Sequence, residues 1–161
     1  MSRSVYITRL AKFLPNEPIA NEEIEDILGK INGKASRAKS IILRSNQIKT
    51  RYYAIDRQGN STHTNAQLAK EAILNLTDER FKAEDIQLLA CGTSSPDQIL
   101  PSHTSMVQGE LKAAPTEIVA TSGACCNIIQ SLKYSFMSIQ GGFTDNAVCV
   151  GSERMSHWMV S

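Results

Sequence analysis

Residues 117–140, with the sequence EIVATSGACCNIIQSLKYSFMSIQ, carry three local structure signals in a row. The segment Glu117–Ala120 predicts a strand, and the small residues of Thr121–Gly123 predict a tight exit from it. The next segment, Asn127–Gln140, predicts a helix, because its apolar residues recur at helical spacing. They form one stripe, composed of Ile128, Ile129, Leu132, Phe136 and Ile139. A strand that leads through a short turn into a helix indicates an α/β fold.

The same alternation continues on both sides of this segment. Ile86–Cys91 and Ala147–Val150 are apolar runs typical of buried strands. Between them, Pro101 and Ser102 predict the start of a helix with Ser102 as its N-cap. The inward side chains of that helix are expected to be Met106, Val107 and Leu111. Strands and helices joined by short loops predict a layered α/β fold.

The N-terminal third is less regular. Val5–Leu10 has the β-branched and apolar residues of a first strand. A helix is predicted from Asn21, as N-cap, to Gly33, with Ile24, Ile27, Leu28 and Ile31 at helical spacing. The loop at residues 59–64 then precedes a second helix with Ala66, Ala69, Ile73 and Leu76 along one face.

Composition and charge narrow the class of protein. The 161 residues are 42% hydrophobic and 20% charged, with 17 basic and 16 acidic residues, so net charge predicts no bulk affinity for nucleic acid or membrane. No apolar run approaches the length of a transmembrane helix, and the first residues lack the apolar core of a signal peptide. The four cysteines show no C-x-x-C spacing, so no metal site is expected. These features predict a cytoplasmic protein with free thiols.

Basic residues are concentrated between Asp26 and Asp56. No acidic residue lies there, whereas seven of the 17 basic residues do: Lys30, Lys34, Arg37, Lys39, Arg44, Lys49 and Arg51. This basic stretch is either a landing surface for an anionic partner or a solvated loop, and the sequence leaves both open.

Cys125 is the residue best placed for chemistry. A thiol where a helix begins is stabilised as a thiolate, and free main-chain N–H groups at that position can bind a developing oxyanion. Two alternatives remain from the residues alone. Cys125 and Cys126 could both be buried small hydrophobic residues, or Cys126, which also lies at the helix start, could be the nucleophile.

Several short segments, in order along nearly the whole chain, resemble one enzyme family. They are Leu14-Pro15 followed by Asn21, Ile48–Tyr52, Asp85–Leu89, Thr93–Asp97, Leu100–Ser102, Ser122–Cys125 and Val148–Glu153. Together they resemble the N-terminal half of β-ketoacyl-acyl-carrier-protein synthase III, a member of the thiolase-like superfamily. The turn around Cys125 is similar to that family's Ala-Ala-Cys nucleophile turn.

The resemblance implies a fold and an activity. Residues 1–161 would form the N-terminal half of a thiolase-like α/β layered fold, a mixed sheet with helices on both faces, and the C-terminal half would be absent from this chain. Cys125 would accept an acyl group, and malonyl on an acyl carrier protein would lose carbon dioxide and attack it, as in fatty-acid or polyketide-type synthesis. The family uses acyl thioesters of coenzyme A or phosphopantetheine as substrates, binds no permanent cofactor and forms homodimers.

The resemblance also assigns further residues and exposes departures. Arg44 aligns with an arginine near the nucleotide, Arg51 belongs to the family's Gly-Ile-x-x-Arg loop, and Leu100 matches a position that reaches the partner's acyl pocket. The tryptophan that stacks on the coenzyme A adenine has no counterpart, which favours a primer delivered by a carrier protein or an unusual primer. Cys126 stands where the family has a small residue, and Glu153 is expected to anchor a strand end.

The family's catalytic His and Asn lie in the second half and have no counterpart here. His63, His103 and His157 do not match the catalytic position, and His103 is expected on a loop or a helix face. The chain alone is therefore expected to be inactive in condensation. Another thiolase-superfamily enzyme, of the hydroxymethylglutaryl-coenzyme A synthase or long-chain acyl type, would share Cys125. A non-catalytic dimerisation or chain-length partner is the remaining alternative.

Overall fold

The computed structural model describes residues 3–156 of the chain. These residues form two compact units. We call residues 14–64 with 154–156 the small unit, and residues 3–13 with 65–153 the sheet unit. His157 and the terminal segment 158–161 lie outside the described residues.

The small unit contains a two-stranded ribbon and two helices. Its elements, in chain order, are β1 (Ile19–Ala20), α1 (Ile24–Leu28), α2 (Lys39–Asn46) and β2 (Thr50–Arg51). β1 and β2 run antiparallel, with Ile19 opposite Arg51. A small apolar cluster lies beside the ribbon and consists of Ile19, Ile27, Tyr53 and Ile55, with Leu28 packed against it.

The first predicted helix is shorter than the sequence indicated. The prediction ran from Asn21 to Gly33, but α1 has five residues, and Gly29 behind it adopts a φ of 82°. Asn21 does not cap α1, because its amide nitrogen donates to Ile48 O and its amide oxygen accepts from Arg51. A side chain that holds β2 in this way is not available to the helix N-terminus.

Helix α2 lies in the basic stretch, where the sequence indicated only a short apolar run. None of its residues is buried, and Ile41 and Ile42 are exposed. Gln47 ends the helix in the left-handed conformation, and its main-chain N–H donates to Leu43 O at 3.2 Å. The helix therefore follows local backbone preferences without a buried apolar face of its own.

The sheet unit alternates helices and strands as predicted. Its elements are α3 (Asn65–Leu74), β3 (Leu88–Thr93), α4 (His103–Leu111), β4 (Glu117–Ser122), α5 (Asn127–Gly141) and β5 (Ala147–Gly151). The three strands are parallel in the order β4-β3-β5, with Cys91 opposite both Ala120 and Val150. Ser102 caps α4 by accepting from Ser105 N, and Gly142 ends α5 in the left-handed conformation, both as the sequence predicts.

Helices cover both faces of this sheet. On one face, side chains from alternate positions of β3 and β5 pack with α3 and α4: Leu89, Cys91, Val148, Val150, Ala66, Ala69, Ile73 and Val107. On the other face lies α5, whose Ser135 hydroxyl accepts from the Cys149 thiol at 3.0 Å. The α/β prediction with helices on both faces is confirmed. In place of the one mixed sheet that was predicted, residues 3–156 have a purely parallel sheet and a separate antiparallel ribbon.

The orientation of α5 differs from what its apolar stripe suggested. The buried residues of this helix are Asn127, Ser131, Ser135 and Ser138. By contrast, Ile129, Leu132 and Phe136 are 60%, 41% and 44% exposed. The predicted stripe exists, but the helix turns its small polar face to the sheet and leaves most of the stripe uncovered.

The predicted first strand, Val5–Leu10, is wrong. These residues have no regular secondary structure, and Tyr6, Ile7 and Leu10 are largely exposed. β-branched composition makes a strand only where a neighbouring strand supplies hydrogen-bond partners. No strand among residues 3–156 pairs with this segment.

Candidate active site

Cys125 lies on an exposed turn between β4 and α5. The turn leaves the sheet at Ser122, passes Gly123 with a φ of 152°, and enters the helix at Asn127. Cys126 occupies the N-cap position without a capping side-chain bond, and both thiols are exposed. The alternative in which the two cysteines are buried hydrophobic residues is therefore excluded.

The amide of Asn127 joins this turn to the rest of the sheet unit. Its Nδ2 donates to Gly123 O at 2.9 Å and to Glu153 Oε1 at 3.2 Å. The Asn127 carbonyl accepts from Thr121 Oγ1 at 2.7 Å. The buried Asn127 thus contacts Thr121 near the end of β4, Gly123 at the start of the turn, and Glu153 just after β5.

Glu153 is held by several donors. Its Oε1 accepts from Ser94 N at 2.7 Å and from Ser94 Oγ at 2.8 Å, and its Oε2 accepts from Ser95 Oγ at 2.6 Å. Partial burial raises the pKa of Glu153, but the hydrogen bonds from Ser95, Ser94 and Asn127 outweigh it and leave the pKa below its usual value. These hydrogen bonds confirm the expected anchoring role of Glu153 at a strand end. Because its pKa is lowered, the Glu153 carboxylate is also a poor general base.

The other two cysteines are unsuited to nucleophilic chemistry. Cys91 is buried in β3, and this burial raises its pKa to about 12. Cys149 in β5 is half-buried, and burial also raises its pKa. A thiol with a raised pKa is rarely ionised near neutrality and reacts slowly. The two exposed thiols, those of Cys125 and Cys126, are therefore the candidates for nucleophilic chemistry.

His103 and Asn65 are buried polar residues that both contact Ser152, the residue after β5. His103 Nε2 lies 3.0 Å from Ser152 Oγ, and Asn65 Nδ2 donates to Ser152 O, Ser95 O and Thr93 Oγ1. Burial lowers the pKa of His103. His103 is the first residue of α4, as expected for a helix-face histidine, and its hydrogen bond goes to Ser152 rather than to a thiol.

The remaining predicted site residues are divided between the two units. Leu100 precedes α4 in the sheet unit and is 82% exposed. In the small unit, Arg44 is exposed in the last turn of α2, and Arg51 in β2 donates from Nη1 to Asn21 Oδ1 at 2.6 Å. Arg51 therefore has a structural partner in its own unit.

Two negative findings concern the part of the chain that the structure describes. No group of three or more His, Cys, Asp or Glu side chains could hold a metal ion there. None of the helices in residues 3–156 combines the length and the apolar character needed to cross a membrane.

Comparison with known proteins gives relatives in both sequence and structure, although no family model matches the chain. Beta-ketoacyl-acyl-carrier-protein synthase III of Chlorobaculum tepidum is 27% identical over 155 residues, or 93% of this chain and 43% of the relative. The synthase of the same name from Porphyra purpurea is 28% identical over 155 residues, or 96% of this chain and 44% of the relative. The chain thus spans less than half the length of the curated relatives it matches.

Solved structures agree with these relatives. 3-Oxoacyl-acyl-carrier-protein synthase III from Aquifex aeolicus VF5 superimposes with a TM-score of 0.73 at 24% identity, over 91% of this chain and 44% of that one. The fold is thiolase-like. A tetronic acid condensing enzyme gives a TM-score of 0.70 at 23% identity, also over 91% of this chain and 44% of its own. The resemblance that the sequence motifs indicated is confirmed for this thiolase-like chain.

Two long-range contacts around the candidate site were not predicted from the sequence. The contact of Asn127 with Glu153 joins residues 26 positions apart, and that of Asn65 with Ser152 joins residues 87 apart. Only the local signals were visible: each asparagine stands at the start of a helix, Asn127 in α5 and Asn65 in α3 with its buried alanine face. Neither signal predicts a partner so distant in sequence.

Proposed function

We propose that this chain is the nucleophile-bearing half of a condensing acyltransferase, with Cys125 as the residue that takes up the acyl group. The observation that carries the proposal is the exposed thiol at the start of α5, in a chain that aligns over 93% of its length with a β-ketoacyl synthase. Cys125 is preferred to Cys126 because the turn Ser122–Cys125 resembles the nucleophile turn of that family.

The proposed chemistry has two steps. The Cys125 thiolate attacks the carbonyl carbon of an acyl thioester, the old C–S bond breaks, and the carrier leaves as a thiolate that takes up a proton. A malonyl thioester then loses carbon dioxide, and its α-carbon forms a C–C bond with the acyl carbon while Cys125 is released as a thiolate. Holding the acyl group on the protein makes this second step effectively intramolecular.

The second step is expected to need residues outside this chain. The relatives are more than twice as long, and the resemblance places the catalytic His and Asn in the other half. Residues 1–161 are therefore the N-terminal half in this proposal. The chain alone should become acylated on Cys125 without forming a ketoacyl product, and ketoacyl product from the purified chain would contradict this.

The substrates and partners follow from the same resemblance. They are acyl thioesters of coenzyme A or phosphopantetheine, with an acidic acyl carrier protein as donor of malonyl, and no permanently bound cofactor. A homodimer would form through β4, which among residues 3–156 has a hydrogen-bonded neighbour on one side only. Arg44, Arg51 and Leu100 are substrate-binding candidates.

Acylation of the purified chain tests the central claim. We would incubate it with a short acyl thioester near pH 7 and locate the added mass by fragmentation of the peptide that contains both cysteines. The added mass is expected on Cys125, lost in Cys125→Ser and kept in Cys126→Ser. Label that survives in Cys125→Ser and disappears in Cys126→Ser would assign the nucleophile to Cys126 and overturn the proposal.

A further inference from the structure

The contacts of Asn127 and Glu153 suggest a role beyond holding the fold. Asn127 is the first residue of α5, and its side-chain nitrogen donates to the carbonyl of Gly123, where the Cys125 turn begins. The same nitrogen donates to Glu153 Oε1. The Asn127 side chain therefore links the two ends of the turn, and its hydrogen bond to Glu153 holds that side chain in place.

The carboxylate is itself fixed in position. Ser94 supplies two donors to Oε1, from its main chain and its hydroxyl, and Ser95 supplies one to Oε2. These serines follow directly on β3, the central strand of the sheet. Asn127 and Glu153 thus connect the turn to the end of β3, a strand in which every residue is buried.

We propose that Asn127 and Glu153 are positioning residues, which hold the Cys125 turn against the first turn of α5 and so keep the thiol beside the free main-chain N–H groups of that helix N-terminus. The inference rests on the proposed function of Cys125. Main-chain N–H groups bind a developing oxyanion only at hydrogen-bond distance, so a small displacement of the thiol and its acyl group removes their contribution. A turn that loses the bond between Asn127 and Gly123 gains this freedom.

The test compares two reactions of Cys125 at one pH, in a Cys126→Ser background so that one exposed thiol remains. Acylation by a short acyl thioester passes through an oxyanion and needs the positioned N–H groups, whereas alkylation by iodoacetamide forms no oxyanion. Asn127→Ala is expected to slow acylation by about tenfold or more relative to alkylation, as the loss of an oxyanion donor does. Glu153→Gln is expected to act in the same direction, since an amide at residue 153 presents a donor as well as an acceptor to the donors that Glu153 accepts from.

A matched control separates positioning from general destabilisation. Ser138 Oγ lies 3.1 Å from Thr144 Oγ1, a buried pair at the far end of the same helix. Ser138→Ala should lower the melting temperature as a lost buried hydrogen bond does, without changing the ratio of the acylation rate to the alkylation rate. The double variant Asn127→Ala/Glu153→Gln should change this ratio no more than the larger single change, because the two residues act through one link.

The outcomes are distinct. An unchanged rate ratio in Asn127→Ala, with a lowered melting temperature like that of Ser138→Ala, would show that Asn127 is merely structural and overturn the proposal. If Asn127→Ala fails to fold, Glu153→Gln at an exposed position gives the same decision. Absence of acyl label on Cys125 in the Cys126→Ser background, with alkylation intact, would instead contradict the proposed function and this inference with it.

Discussion

Gly92 lies directly beneath the first turn of α5. A β-carbon on residue 92 would be 2.7 Å from the main-chain carbon of Asn127 and 2.7 Å from the nitrogen of Ile128. These are backbone atoms that cannot move aside as a flexible side chain would. The helix that begins next to Cys125 therefore rests on a position in β3 that admits only glycine.

This contact predicts that Gly92→Ala is destabilising. Overpacking a well-packed interior costs about 1–3 kcal/mol, and relief would require the start of α5 to move away from the sheet. Urea unfolding should show the lost free energy of unfolding, and Cys125 labelling by an acyl thioester should slow. Gly109→Ala in α4 is the matched control: its β-carbon would meet nothing within 4 Å, and it should stabilise by about 0.5–1 kcal/mol. Equal stability of Gly92→Ala and wild type would refute the contact.

His103 predicts a pH dependence of stability. Burial lowers the pKa of His103 below its ordinary value of 6.5. Between the two pKa values the unfolded chain binds a proton that the folded chain does not, so stability is present above pH 6.5 and is lost as the pH falls through the folded pKa. The free energy of unfolding should therefore fall from pH 8 to pH 5.5, and by less in His103→Gln. His63→Gln, in the small unit, serves as the control, and a slope that His103→Gln leaves unchanged would exclude His103 as its source.

The uncovered face of α5 predicts self-association of the chain. Burying a large apolar side chain contributes about 1.5–3 kcal/mol, so Ile129, Leu132 and Phe136 together offer a sizeable driving force. Sedimentation equilibrium should detect species heavier than the 17.7 kDa monomer. Leu132→Gln and Phe136→Gln should weaken association, whereas Ile41→Gln on α2 should not. A wild-type chain that stays monomeric and melts cooperatively would show that this face needs no cover.

The basic stretch predicts a kinetic effect on a carrier protein. Lys39 lies 3.4 Å from Glu25 in a half-buried ion pair, so its charge is partly compensated and is left unchanged. The exposed residues Lys34, Arg44 and Lys49 should be changed together to Glu. Association with an acidic acyl carrier protein should slow by about tenfold or more at low salt, with a flatter salt dependence.

An equal change of charge elsewhere is the control for that experiment. Lys12, Arg80 and Lys133 are exposed in the sheet unit, and their joint replacement by Glu alters net charge by the same amount. Slowing that is equal in both triple variants would point to net charge alone. An unaffected rate in the Lys34/Arg44/Lys49 variant would mean that the basic stretch is a solvated face.

The sheet unit was predictable because its signals are local. Ser102 caps α4, Gly142 ends α5, and the apolar runs became parallel strands, of which β3 is buried throughout and β5 at alternate residues. The strand predicted at Val5–Leu10 failed because pairing depends on a neighbour that composition does not encode. The prediction that Asn21 caps α1 failed because the amide of this residue is hydrogen-bonded to Ile48 and to Arg51 of β2, about 30 residues further along the chain.

The orientation of α5 was hidden for a different reason. Its isoleucines and its serines both recur at helical spacing, and hydrophobicity alone favours burying the isoleucines. Gly92 reverses this preference, because a strand without a side chain at that point brings the helix backbone within contact distance and leaves room only for small residues. The position of Cys125 followed from its motif, whereas the link through Asn127 to Glu153 did not, since long-range hydrogen bonds have no local signature.

The serines of α5 also prevent the helix from sliding along the sheet. Ser131 lies 2.7 Å from Thr121 of β4, and Ser135 accepts from Cys149 of β5, so hydroxyl hydrogen bonds join the helix to the sheet at two positions along its axis. Apolar side chains would tolerate a shift by a fraction of a turn, because dispersion contacts depend weakly on direction. Hydrogen bonds depend on direction and distance, so a shift of the helix along its axis would break both together. The spacing of these bonds along the helix therefore fixes the position of Asn127, and of the Cys125 thiol before it, relative to the sheet.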